Sequence, residues 1–455
     1  MRKYYVFAAA ALVVLAACQK KGNEVENKVT DPSIIAMPAW VSDESLPVPV
    51  EMGTPALRTK GAPITDANTA GNFNHAEFTY TVLALQTVIN GNDRVATSTV
   101  MPGFEGGVLA RNVNGTADAA VNANPGGTGD DLTGLKVAQF GTLSGDTWSP
   151  KVMYYPYLYA TGTYNFYGYR INNDNETPAL ENGTTTIAGV ELGQNDIIWA
   201  KAEPNSALET LASNAYTYKR QHDTPPSTAT EVANGFTAKY IRGARWAVAQ
   251  GLQYESAAVQ YTQFLPALKF EHITSQIQFM VKAYDQLAAN TLANAAVDIE
   301  SIVLGGTTLD GTTAIYNTAS MDVTTGQFTG TQQGTISVDH IPNNFVVSYF
   351  APSANDDAAK CGDPLFIMPM TGDIMVTLNL TLPGLSEPQA ITAKLSAPAI
   401  AEDLVNNRPA VAAGTFAAGY AYKFTITLMS LEKIQITTSI ADWINAPATE
   451  PIVID

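Results

Sequence analysis

Cysteine, histidine and positive charge are all scarce in this chain, and each scarcity closes off a class of function. Two cysteines in 455 residues rule out a disulfide framework. One of them, Cys18, ends an N-terminal apolar run, so only Cys361 remains and the fold must rest on core burial, for which the chain is long enough. The four histidines, His75, His222, His272 and His340, lack a second His or Cys at metal-ligand spacing, and neither HExxH nor CxxC occurs. No metal or cofactor is expected. Lys and Arg number 25 against 42 Asp and Glu, giving a net charge of −17, which repels phosphate backbones and disfavours nucleic acid.

Catalytic motifs are missing too. Gly141-Thr142-Leu143-Ser144-Gly145 lacks the spacing of a nucleophile elbow. Gly126-Gly127-Thr128-Gly129 lacks the Lys and hydroxyl residue of a phosphate loop. Asn172 to Glu176 cluster oxygen ligands without the central Gly and closing Glu of a calcium loop. Cys361, beside Gly362 and Asp363, reads as an incidental thiol in a polar loop. No catalytic residue is expected. Carboxylates brought together only by folding leave a hydrolase as a third, weakly supported reading.

What is present begins with a secretory signal. Arg2 and Lys3 precede ten apolar residues, Val6 to Leu15, a run shorter than the roughly 20 needed to span a bilayer. Leu15-Ala16-Ala17-Cys18 then places small residues before a cysteine, the arrangement for cleavage after Ala17 and lipidation of Cys18. The plainer alternative is an ordinary signal that happens to contain a cysteine. Loss of Arg2 and Lys3 with residues 1–17 takes the net charge from −17 to −19. The lipid on Cys18 is the one membrane contact the sequence supports.

A polar, Pro-rich leader follows, assigned to residues 18–58, in which Val48, Val50 and Met52 alternate as in a short strand. It closes on Leu57-Arg58-Thr59-Lys60-Gly61, a site for a trypsin-like protease after Arg58 or Lys60, unless both cations are merely solvated. Beyond it, alternation at Phe78–Val82, Ile374–Leu382, Tyr420–Leu428 and Ile434–Ile440 predicts antiparallel strands with one buried face. The best helix candidate runs from Tyr284 to Ala296. Leu268, Phe270 and His272 lie on the opposite parity from Ile277, Phe279 and Val281. That requires a bulge or bend near Thr274-Ser275-Gln276, with His272 a core histidine.

Residues 106–147 and 202–235 read as long surface loops. Size favours two β-sandwich domains in tandem, at 59–265 and 266–455. Trp148, Tyr154, Tyr155, Tyr157, Tyr159, Tyr164, Phe166, Tyr167 and Tyr169 form a dense aromatic segment. Period-two placement favours sheet packing over a sugar-stacking platform.

Three segments carry a family resemblance: WSPKVMYYPYLYATGTYNFYGY at 148–169, LKFEHITSQIQFMV at 268–281, and AAGYAYKFTITL followed by ITTSIADWI, up to Ile444. Together with the lipobox and the basic leader end, the chain resembles the Bacteroidales fimbrillins, subunits of type V pili. The resemblance implies two transthyretin-like antiparallel β-sandwiches. It implies lipoprotein export, removal of the leader after Arg58 or Lys60, and filling of the vacated groove by a strand from the next subunit. The donor would be the tail Asn445 to Asp455, with Ile452, Val453 and Ile454 as its apolar part. That part is short, and Pro447 and Pro451 remove ladder donors, so stalk, tip and anchor positions all stay open. Partners would be other pilus subunits, alike or different, and host or bacterial surface ligands. The rival is a surface glycan-binding lipoprotein using the Tyr-rich segment.

Overall fold

Stretches with period-two alternation are strands, and most pair antiparallel. A computed structural model describes residues 39–42, 45–53, 55–58, 79–90, 93–114, 136–144, 147–156, 162–171, 180, 183–222, 235–294, 297–306, 309–343, 345, 347–349, 359–381, 387–402, 409–429 and 434–441.

The largest sheet has nine strands. Its path runs β1 (Ala56–Arg58), β12 (Lys269–His272), β9 (Ile198–Ala202), β7 (Thr163–Arg170), β2 (Thr79–Asn90), β4 (Val108–Asn114), β5 (Lys136–Ser144) and β6 (Thr147–Pro150). Strand β3 (Asp93–Val100) pairs with β2 off this path. A five-stranded sheet runs β18 (Ala359–Lys360), β13 (Ser275–Ala283), β24 (Ala421–Leu428) and β25 (Ile434–Ala441), with β19 (Leu365–Ile367) also on β13. A four-stranded sheet orders β17 (Thr335–Ser337), β14 (Asp298–Gly305), β21 (Ile374–Thr381) and β22 (Gln389–Leu395). Smaller sheets join β16 (Gln327–Gln333), β15 (Tyr316–Asp322) and β8 (Thr186–Glu191), then β20 (Met370–Thr371) with β23 (Thr415–Phe416), and β10 (Gln253–Tyr254) with β11 (Ala257–Ala258). The architecture is an all-β sandwich. Among the described strands, only β1/β12 and β13/β24 pair parallel.

The phase change is a change of sheet. Strand β12 ends at His272 in the nine-stranded sheet, a bend falls at Thr274, and β13 begins at Ser275 in the five-stranded sheet. Each parity therefore faces its own core. His272 is buried, its Nδ1 2.8 Å from Asp196 Oδ1, a core histidine as its parity predicts.

The expectation of one buried face needs correction in the central strands. Along β2, Tyr80, Val82 and Ala84 join one apolar cluster while Leu83 and Leu85 join another. The reason is position: β2 has β7 and β4 beside it and apolar layers above and below, so both parities are covered. The first cluster draws on residues from Trp40 to Phe270, the second on residues from Leu83 to Leu428.

Helices are few but not where alternation alone would put them. The Tyr284–Ala296 candidate is α4 (Gln286–Asn294). The 202–235 stretch is not all loop: α2 (Ser206–His222) occupies its first half, and α3 (Ala238–Ala249) follows. Thr237 caps α3 by accepting the Tyr240 N–H at 3.1 Å. The pair packs closely because a Cβ on Gly243 would lie 2.1 Å from the Ala212 carbonyl oxygen. The short α1 (Ala39–Ser42) lies in the leader.

Most of the described aromatic segment is core, while Tyr157 and Tyr159 lie outside the described residues. Tyr155, Tyr164, Phe166, Tyr167 and Tyr169 are buried, with Phe166 meeting Phe104, Tyr155 and Phe236 edge-on. Tyr154 is 39% exposed and Trp148 half-buried beneath the Arg111 guanidinium. Room for Phe270 comes from Gly168 on β7, where a Cβ would lie 2.6 Å from its ring. We expect Gly168→Val to cost about 1–3 kcal/mol through overpacking. A urea midpoint equal to wild type would refute this packing.

Candidate functional site: the seat of the leader

The described leader residues, from Ala39 on, belong to the same compact unit as the rest of the described chain. The second half of the Pro-rich leader is thus a core element. Its alternating residues Val48, Val50 and Met52 are buried, as are Trp40 and Val41 on α1. Pairing is short but real: Pro49 bridges Tyr154 antiparallel, Val50 N–H donates to the Met153 carbonyl at 2.8 Å, and Tyr155 N–H donates to the Val48 carbonyl at 2.9 Å. Pro49 costs the ladder nothing, because the bonds fall on Val48 and Val50. Gly53 N–H then donates to the Pro266 carbonyl at 2.9 Å, and β1 lies parallel to β12, with Arg58 opposite Glu271.

Two buried cations of α3 hold this segment. The Arg242 guanidinium, 1% exposed, donates to the carbonyls of Trp40, of Val41 at 3.5 Å and of Leu46 at 2.7 Å. One turn on, Arg245 is 4% exposed, and its Nη2 lies 3.6 Å from Glu51 Oε2. Its guanidinium stacks 3.3 Å above the Tyr261 ring and 5.8 Å from the Trp40 ring. Tyr261 donates its hydroxyl to the same Glu51 oxygen. Burial, and then Glu51, push the Tyr261 hydroxyl well above its ordinary pKa, against the opposing pull of Arg245, so it stays a neutral donor. The leader is held by apolar burial, a carbonyl clamp and an acid between a cation and a phenol.

Of the residues the sequence singled out, Arg58 is the last residue of β1. Cys18, Lys60, Ile452, Val453 and Ile454 lie outside the described residues, as do residues 126–129 and 172–176. Arg242, Arg245, Tyr261 and Glu51 escaped sequence reasoning. For the arginines and Glu51 the signal was two arginines three apart in the mostly apolar stretch Ala238–Ala249, and one acid inside the Val48–Met52 alternation.

Cys361 requires a correction. It is fully buried in the second cluster rather than placed in a polar loop, because the chain leaving β18 turns inward. Burial, with Asp298 adding to it, pushes the thiol up to about 12. Its inertness therefore follows from burial. Among the described residues no three His, Cys, Asp or Glu side chains gather as a metal site.

These features define an all-β sandwich protein whose N-terminal segment completes its own core. Residues 245–443 match the family described as fimbrillin-like. Comparison with the curated proteins finds no match. Three solved structures are similar over most of the chain. A proposed cell adhesion protein from Bacteroides uniformis ATCC 8492 shares 13% identity over 87% of this chain and 98% of its own, with a TM-score of 0.38. A fimbrial assembly protein from Parabacteroides distasonis ATCC 8503 shares 9% over 86% and 99%, with a TM-score of 0.27. The fimbrial anchor protein Mfa2 from Porphyromonas gingivalis shares 9% over 87% and 99%, with a TM-score of 0.29.

Glu51→Gln keeps the shape but removes the charge facing Arg245. We expect it to lower stability by about 1–3 kcal/mol, measured by urea denaturation of the uncleaved chain; an unchanged midpoint would remove the acid from the clamp. Cys361 offers a second check. The folded thiol ionises later than the unfolded one, so its contribution to stability is complete below pH 9.0 and is lost as pH rises toward about 12. At pH 8 iodoacetamide should label Cys361 only after unfolding, and prompt labelling of the native protein would contradict its burial.

Proposed function

We propose that this chain is a structural subunit of a type V pilus serving surface adhesion, assembled by strand exchange after its leader is cut. The observation that carries the reading is the leader itself. A segment that ends on the basic sequence Arg58-Thr59-Lys60 supplies Trp40, Val41, Val48, Val50 and Met52 to the core. Its loss would open an apolar slot and expose the Met153 carbonyl and Tyr155 N–H, both costly in water. A strand from another subunit would satisfy these groups by β-augmentation. Such a joint is heterologous and propagates instead of closing. The fimbrillin-like match over 245–443 supports the same assignment.

On this reading the role is structural rather than catalytic, and the location is the cell surface. Lipid on Cys18 would carry the precursor to the outer membrane and leave with the leader. The division at about residue 265 into two transthyretin-like domains belongs to the proposal as well, supported by the change of sheet at Thr274. Burial of Tyr155, Tyr164, Tyr167 and Tyr169 weighs against the glycan-platform alternative.

The full chain treated with a trypsin-like protease should yield an N-terminus at Thr59 or Gly61 by mass spectrometry, together with oligomer ladders on gels run without boiling. An intact leader and a strictly monomeric product would sink the assignment.

A further inference from the structure

The leader's clamped stretch and the tail carry the same pattern. Pro47-Val48-Pro49-Val50-Glu51 reads proline, β-branched, any, β-branched, acid. Pro451-Ile452-Val453-Ile454-Asp455 reads the same, position by position. We propose that Pro451–Asp455 of a second copy replaces Pro47–Glu51 in this register, with the Asp455 carboxylate seated between Arg245 and Tyr261. The proposal rests on the strand-exchange reading above and deepens it by naming the donor's register and its polar anchor.

Each position fits what the leader shows. Pro47 is exposed and outside the ladder, so Pro451 in its place removes no bond. Ile452 would enter the seat of Val48, its carbonyl accepting the Tyr155 N–H. Ile454 would enter the seat of Val50, its N–H donating to the Met153 carbonyl. Val453 would stand where Pro49 faces Tyr154. Charge agrees as well. Arg245 is buried and faces a carboxylate now, so a donor without an acid at this position would leave that cation without the Glu51 charge. A shift of the donor by one residue would put Ile454 against the cation and turn both isoleucines out of their seats. The acid therefore fixes the register, while the β-branched pair fills the slot.

The register is testable by a disulfide. Val453 and Tyr154 would form a non-hydrogen-bonded antiparallel pair, in which Cα atoms lie about 4.5 Å apart, within disulfide reach. Tyr154 is partly exposed, and Cys361 is buried and does not compete. The full chain carrying Tyr154→Cys and Val453→Cys, cut by the protease and then oxidised, should give ladders that survive boiling in SDS and collapse with reductant. The pair Tyr154→Cys with Ile452→Cys should not. Asp455→Asn alone should slow ladder formation about tenfold or more.

The failures are separable. If the wild-type chain is cut and forms no ladders, strand exchange itself fails and the register with it. Ladders that form without the 154–453 link, or that link through Ile452→Cys, leave strand exchange standing and overturn the register. A 154–453 link confined to monomers means the tail folds onto its own body and overturns the second copy as occupant. Wild-type kinetics for Asp455→Asn overturn the carboxylate anchor.

Discussion

The structure turns on two guanidinium groups buried where a sandwich core would ordinarily be apolar. Arg242 and Arg245 sit on α3 at 1% and 4% exposure, and a cation that deep persists only with hydrogen bonds and opposite charge around it. The leader supplies both, carbonyls to one and the Glu51 carboxylate to the other. Much of the local architecture answers to this requirement. Gly243 brings α3 against α2, the Thr237 cap starts α3 at the right turn, and Tyr261 closes over Arg245 from the far side. The five apolar leader side chains then seal the site. The segment is bound by two unlike interactions whose geometries must agree.

This combination separates specificity from adhesion of the strand. Apolar side chains buried at roughly 1.5–3 kcal/mol each hold almost any β-branched segment of the right parity. They do little to choose between registers related by two residues, since alternation repeats. A buried carboxylate seat does choose, because misplacing the acid leaves a buried cation beside an alkyl group. One polar contact in an apolar groove thus sets alignment, much as a single buried polar residue sets register in other repetitive packings.

The sheets were legible in the sequence because alternation is a direct image of burial. Ile374–Leu382 and Tyr420–Leu428 are β21 and β24 almost to the residue, and the parity conflict between Phe270 and Ile277 marks the crossing between sheets at Thr274. Burial on both faces of β2 was harder to see: Tyr80 to Leu85 include Thr81, whose hydroxyl imitates an outward position although the residue is buried. Helices α2 and α3 hid for another reason. Ser, Thr, Asn and Tyr are common in α2, and α3 breaks its apolar face with arginines that point inward. The leader was the hardest part. Its prolines signal loop, yet Pro49 occupies a position where no ladder bond is lost. Glu51 looks solvated until a partner 194 residues away, Arg245, is placed beside it.

On the proposed function, cutting after Arg58 and releasing the leader would be distinct physical events. The cut would remove a covalent tie beyond β1, and among the described residues the ladder next to it is the three residues of parallel pairing with β12. The clamp at Arg242, the seat of Glu51 and the five buried side chains lie upstream and are untouched by hydrolysis of that bond. A nicked leader would therefore stay in place until something displaces it. In the matched register a donor runs in the leader's own direction, so Asp455 arrives at the Glu51 end, the clamped end nearest the cut. Displacement can begin there, with one carboxylate exchanging for another at Arg245, and advance toward Pro47 pocket by pocket. The buried cation never has to face a vacated site. A donor entering from the opposite end would have to unseat Trp40 and the carbonyl clamp first, before gaining any contact of its own. In the proposed register, the polar anchor would thus also set the direction in which exchange can proceed.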